Sequence, residues 1–229
     1  MKQKAEKPAP RAKLEPADAR RDRALEILKR LKKLHRDAGC TLDFKNPFEL
    51  LVATILAAQC TDEMVNRVTP ELFAKYPDPK ALAAAKLPAI EKLIKPTGFF
   101  RNKAKNITRC AAALVERHGG KVPGSMNELN KLPGVGRKTA NVVLGEAFGH
   151  PAIIVDTHFR RVTARLALHA ETDPDKIEAA ICSFFPEKHR TRFSDCILFH
   201  GRRVCSSRKP KCFDCGIEDL CPCPEKNEG

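Results

Sequence analysis

Two short runs hold the residues best able to do chemistry. Leu132-Pro-Gly-Val-Gly-Arg-Lys-Thr-Ala140 sets two glycines directly before a basic pair, and Val155-Asp-Thr-His158 follows with a carboxylate and an imidazole. A glycine turn at a helix start leaves backbone N–H groups bare, and such a nest holds phosphate. Lys138 falls in the first turn of the helix that follows. There the helix dipole and adjacent Arg137 both favour the neutral amine, the nucleophilic form of a lysine. Asp156 has two readings. It can cap the next helix, the commoner use of such a residue, or support a sugar cation as carboxylates do beside a glycosidic bond. A lysine at this place also has a plainer use, as a phosphate contact. Both runs point to a nucleic-acid backbone.

A second constellation lies at the end of the chain. Cys205, Cys212, Cys215, Cys221 and Cys223 crowd into the last 25 residues, the first four spaced x6, x2 and x5. Four thiolates so close can hold a tetrahedral zinc or an iron–sulfur cluster. Between the first two lies Ser206-Ser-Arg-Lys-Pro-Lys211, so a tethered loop would carry Arg208, Lys209 and Lys211 to a fixed spot suited to phosphate. The other five, Cys40, Cys60, Cys110, Cys182 and Cys196, are isolated in apolar or helical stretches and read mainly as small buried hydrophobes.

The elements that must position these groups read as helices. Asn46-Pro-Phe-Glu49 is a helix start, with Asn as cap, Pro47 in the first turn and Glu49 reaching back. The helix after it, to Ala58, is apolar on almost every side and should be a central buried one. Leu25, Leu28, Leu31 and Leu34 recur at helical spacing. Lys103 to His118 reads as helix, stopped by Gly119-Gly120. Ser125-Met-Asn-Glu128 is a capping box, Pro133–Gly136 turns the chain, and a helix resumes at Arg137, giving a helix–hairpin–helix over 125–148. Gly134 and Gly136 allow positive φ and close approach of another backbone. Asp156, Asp173-Pro174 and Pro186 mark three later helix starts. No stretch alternates as a strand does, so the fold class is all-α.

Composition narrows the partners. The 229-residue chain carries +14 formal charge, of which residues 24–229 hold +10, so its body is basic and suits a polyanion. Residues 1–22 lack apolar periodicity and read as a disordered basic tail. No signal peptide precedes the chain, which favours a metal site over a disulfide framework. No apolar run reaches membrane-spanning length. A soluble cytoplasmic protein, nucleoid-associated and bacterial in type, is the expectation.

The segment LPGVGRKTA followed by VDTH resembles the endonuclease III family of DNA glycosylase/AP lyases, in the iron–sulfur branch of the helix–hairpin–helix superfamily. The likeness extends to Phe48-Glu-Leu-Leu51, to Ala58-Gln-Cys-Thr-Asp62, to Gly98-Phe-Phe-Arg-Asn-Lys-Ala104 and to the spacing of the four cysteines. The resemblance implies Lys138 as the nucleophile that attacks C1′, Asp156 as its partner, and a 4Fe–4S cluster on Cys205, Cys212, Cys215 and Cys221. Cys223 exceeds the family pattern and reads as a free thiol. It further implies that Gln59 fills the gap left by the flipped nucleotide and that Phe99 is the wedge, with one of Phe99 and Phe100 kept for core packing. Thr61, Asp62, Gly134, Val135, Gly136, Arg137, His158, Arg208, Lys209 and Lys211 are the further DNA contacts it implies.

The implied layout is a two-domain helical glycosylase fold. Residues 23–39 and 151–229 would form the cluster domain and residues 40–150 a helical barrel, with DNA across a cleft between them. The implied function is base excision repair, in which a monomer removes oxidised pyrimidines from duplex DNA and nicks the abasic site by β-elimination through a lysine Schiff base. Alternatives are a mismatch adenine glycosylase, which lacks the lysine and carries an extra C-terminal domain, a non-catalytic helix–hairpin–helix DNA-binding protein, and an electron carrier. Lys138 and the chain's end at Gly229 argue against the first, and the basic hairpin is unexplained by the last.

Overall fold

A computed structural model describes residues 14–227 and divides the chain into two compact units. One unit is Cys40–His150; the other joins the chain up to Gly39 with Pro151 onward. All regular structure among the described residues is helical. No helix among them is long and apolar enough to cross a membrane.

The Cys40–His150 unit follows the first α-helix, α1 (Ala17–Leu34), and contains α2 (Pro47–Leu56), α3 (Asp62–Lys75), α4 (Pro79–Ala83), α5 (Leu87–Ile94), α6 (Phe100–His118), α7 (Met126–Leu129) and α8 (Arg137–Phe148). Its centre is α2, in which every residue from Phe48 to Leu56 is buried. Asn46 starts that helix by accepting the Glu49 N–H, and the Glu49 carboxylate accepts the Lys45 N–H at 2.7 Å. Around α2, one hydrophobic core gathers Val65 and Leu72 of α3, Ile90 and Ile94 of α5, Ile107 and Leu114 of α6 and Val143 of α8.

The other unit packs α1 with α9 (Thr157–Arg165), α10 (Pro174–Cys182) and α11 (Arg190–Arg203), then ends in an irregular segment with two short 3-10 turns. Its core is separate: Ile27, Leu31, Phe159, Leu168, Ile181, Phe193 and Ile197 among others. Phe159 meets Phe193 edge-on, with ring centroids 6.0 Å apart. Helices α9 and α11 cross closely at Gly201, where a Cβ would stand 2.9 Å from His158 Cβ.

The expected tail is corrected here. Helix α1 begins at Ala17, inside the segment 1–22 read as disordered, while residues 1–13 lie outside the described residues. The extra turn rests on charged contacts, which apolar periodicity does not register. Arg21 pairs with Asp18 at 2.9 Å, and the Arg20 guanidinium lies 4.9 Å from the Phe184 ring centroid. Arg23 donates to the Leu166 and Leu220 carbonyls. In the leucine series, Leu28 and Leu31 are buried with Ala24 and Ile27, but Leu34 is half exposed.

Candidate nucleic-acid interface and thiol centre

The hairpin is built locally. Ser125 Oγ accepts the Glu128 N–H and starts α7. The chain turns at Pro133–Gly136, with the Val135 N–H donating to the Leu132 carbonyl at 3.1 Å. Gly134 has φ +78°, and a Cβ there would stand 2.9 Å from Asn106 Cβ of α6, so glycine is required on both counts. Gly136 does not use the positive φ open to it: its φ is −94°, ordinary extended backbone, and nothing lies within 4 Å of a Cβ built on it. Its use lies in what it lacks. As N-cap of α8 it supplies no side-chain acceptor, so no cap takes up the first-turn N–H groups. Arg137 and Lys138, both exposed, open that turn, while Val135 is buried as the anchor of the hairpin.

Two other turns in this unit present predicted contacts. Gln59 is exposed with φ +54°, a backbone state costly for a residue with a Cβ and one that clusters at functional sites. Thr61 caps α3 by accepting the Met64 N–H at 3.3 Å, and Asp62 accepts a hydrogen bond from the Thr41 hydroxyl, so both shape the turn that carries Gln59. The second turn settles the choice between the two phenylalanines in favour of Phe99 as the projecting side chain. Phe99 is 66% exposed with φ +46°, whereas Phe100 packs against the core.

Asp156 belongs to the other unit. Its Oδ1 accepts the Phe159 N–H at 2.7 Å, so it caps α9 as the plainer reading held. The extended segment before it is strapped to α11: the Ala152 N–H donates to Thr191 Oγ1 and the Ile154 N–H to Ser194 Oγ. His158 is half-buried two residues further on, beside Arg161 at 3.1 Å, and burial holds its pKa below the usual imidazole value.

The cysteine segment lies at the far end of α9. Cys205, Cys212, Cys215, Cys221 and also Cys223 line one partly open pocket. Among the described residues, no three His, Cys, Asp or Glu side chains converge tightly enough to hold a single metal ion. Burial pushes the Cys221 thiol up to about 11 and raises Cys215 as well. Arg165 Nη1 donates to Cys205 Sγ at 3.2 Å and to the Ser206 carbonyl at 2.7 Å. Arg161 donates to the Cys205 and Gly201 carbonyls. His200 Nε2 lies 3.5 Å from Cys215 Sγ, and burial brings the His200 pKa down to about 4, so this ring is neutral at pH 7. Arg208, Lys209 and Lys211 are exposed on the loop, which is folded back by Ser206 Oγ on the Lys209 carbonyl and by the Lys211 N–H on the Val204 carbonyl. Sequence reasoning missed Arg161, Arg165 and His200. The i, i+4 spacing of the two arginines on α9 was the available signal, but such a pair reads equally as a solvated helix face.

Residues 52–187 match the HhH-GPD superfamily of base excision DNA repair proteins. An endonuclease III of Synechocystis sp. is 53% identical over 205 residues, spanning 89% of this chain and 94% of that one. The chain belongs to the endonuclease III family. Two solved structures extend the likeness. A non-covalent endonuclease III–DNA complex superposes with a TM-score of 0.83 at 41% identity, covering 88% of this chain and 95% of that one. A trapped covalent endonuclease III–DNA intermediate does so with 0.82 at 42% identity, covering 87% and 95%. The hairpin, Asp156 and the Gln59 and Phe99 turns all lie within residues 52–187, the stretch that matches the HhH-GPD superfamily.

Proposed function

We propose that this member of the endonuclease III family is a bifunctional DNA N-glycosylase and abasic-site lyase acting on oxidised pyrimidines in duplex DNA. The observation that carries the reading is Lys138, exposed in the uncapped first turn of α8 behind a glycine hairpin, in a chain 42% identical to an endonuclease III trapped covalently on DNA. The Lys138 amine donates its electron pair to C1′. The bond from C1′ to the base breaks, and the base leaves with a proton. The sugar ring opens as the C1′–nitrogen link becomes an imine. Loss of a C2′ proton then drives the C3′–O bond to break, which releases the 3′ phosphate and nicks the strand; water finally frees Lys138. Asp156, held at the start of α9, supports positive charge at the sugar. Arg137 and the first-turn N–H groups of α8 hold phosphate, while Gln59 and Phe99 enter the stack around the extruded nucleotide. Thr61, Asp62, Gly134, Val135, Gly136 and His158 shape these contacts.

The donor set fits a 4Fe–4S cluster on Cys205, Cys212, Cys215 and Cys221. These four and Cys223 line one pocket, and the x6, x2 and x5 spacing of the four resembles the family's cluster loop. Bound there, the cluster would cross-link the segment so that Arg208, Lys209 and Lys211 face phosphate from a fixed loop. Borohydride trapping tests the lysine. The protein should form a covalent complex with abasic-site DNA, and Lys138→Gln should abolish it; unchanged trapping in that variant would remove Lys138 from the role. A brown protein with four irons per chain supports the cluster, and a colourless zinc protein refutes it.

A further inference from the structure

The strained turn before α6 is held by a lysine that the mechanism does not use. Lys103 is only 4% exposed, and its Nζ donates to the Thr97 carbonyl at 2.7 Å. Thr97 is itself buried, with its hydroxyl on the Ile94 carbonyl. The two residues between this anchor and α6 both have left-handed backbone. Gly98 is at φ +68°, ψ +160°, a region open essentially to glycine alone, and Phe99 is at φ +46°, ψ +26°. Phe99 nevertheless stands out into solvent, with its carbonyl receiving the Asn102 and Lys103 N–H groups.

Such strain persists only where the surroundings over-determine it. A buried ammonium is costly unless it is well bonded, and the Thr97 carbonyl gives it a charge-assisted acceptor. Burial lowers the Lys103 pKa, opposed by the field of Cys60, the residue next to Gln59. A methionine of similar length would fill the same space at less cost, so packing alone gives no reason for a lysine here.

We propose that Lys103 is a positioning residue that clamps the Thr97 carbonyl and so keeps the strained Gly98–Phe99 pair poised to drive Phe99 into the base stack. The inference rests on the reading of Phe99 as the wedge. A wedge is needed to open a stacked base pair and less needed where the base is already missing. Loss of the clamp should therefore cost the protein more on an intact oxidised base than on an abasic site.

The test compares Lys103→Met, Phe99→Ala and the double variant on thymine-glycol duplex and on abasic duplex. Lys103→Met should slow base removal by roughly tenfold or more, the scale of a lost unstacking contribution, while borohydride trapping on abasic DNA stays near the parent level. A 2-aminopurine beside the lesion should lose its rise in fluorescence on binding, and the double variant should be no slower than Phe99→Ala. Equal losses on both substrates, no loss on either, or additive effects in the double variant would overturn the clamp. An effect of Lys103→Met with none of Phe99→Ala would instead overturn the wedge reading. If Lys103→Met does not fold, Gly98→Ala decides: a Cβ there meets nothing within 4 Å, so only backbone strain acts. Full base removal by Gly98→Ala would sink the proposal, and the same substrate-selective loss would support it.

Discussion

The hairpin with Lys138 and the loop with the thiols both fix basic side chains on the surface of a small helical unit, by opposite means. The hairpin needs little beyond its own residues. A capping serine starts α7, Gly134 turns against Asn106, and Gly136 leaves the first turn of α8 without a cap. The loop has few helical hydrogen bonds of its own. It is held by donors from residues some forty positions away, Arg161 and Arg165, which grip the Cys205 carbonyl and sulfur. Short-range order needs a few backbone choices, whereas a loop of short 3-10 turns must borrow its rigidity from tertiary contacts and, in the proposed function, from the cluster.

The sharpest break in this comparison is Lys138→Gln, which should leave the hairpin folded and strand nicking below detection in a single-turnover assay. Asp156→Asn should come next. Asparagine keeps the cap, so melting should hardly move, but base removal should fall about 100- to 1,000-fold because the charge is gone. Full activity in that variant would leave Asp156 as a cap alone. Arg165→Met should act on the loop and spare the hairpin: iron should leave a chelator-challenged protein several-fold faster, with α-helical circular dichroism unchanged. Equal iron retention would show that Arg165 is not a brace.

Lys209→Ala with Lys211→Ala should lower the slope of log affinity against log salt by about 1 for each lysine, and equally for damaged and undamaged DNA. A slope that does not change would leave the two as solvated charges. The smallest effect concerns acid. Asp37 receives two guanidinium hydrogen bonds from Arg203, at 2.8 and 2.6 Å, which hold its carboxyl down at about 2 from an ordinary 3.8. A depressed carboxylate stabilises the folded state above its unfolded value and loses that contribution as pH falls from about 3.8 toward 2. Asp37→Asn should therefore flatten the stability curve slightly in that window. The pair is exposed, so 1 M salt should erase most of the difference.

Much of this was legible from residues alone, where the cause is local. Asn46, Ser125, Asp156 and Asp173 each cap the helix that their sequence context announces. A cap is a contact between neighbours three residues apart, so the sequence carries both partners side by side. The start of α1 was not legible, because it rests on charged side chains: Arg21 on Asp18, and Arg20 on the distant Phe184 ring. Gly134 and Gly136 look alike in the sequence, and only the packed backbone decides which of them takes positive φ.

The sequence by itself determined the all-helical class, the hairpin and the residue types that chemistry requires, since helix periodicity and turn chemistry act over a few residues. Tertiary structure alone decided that Phe99 projects while Phe100 packs, that five thiols share one pocket, and that Lys103, Arg161 and Arg165 donate to buried or loop carbonyls. A lysine or arginine carries the same charge wherever it stands. Whether that charge meets water, a carbonyl or a sulfur depends on which distant segments the core brings beside it.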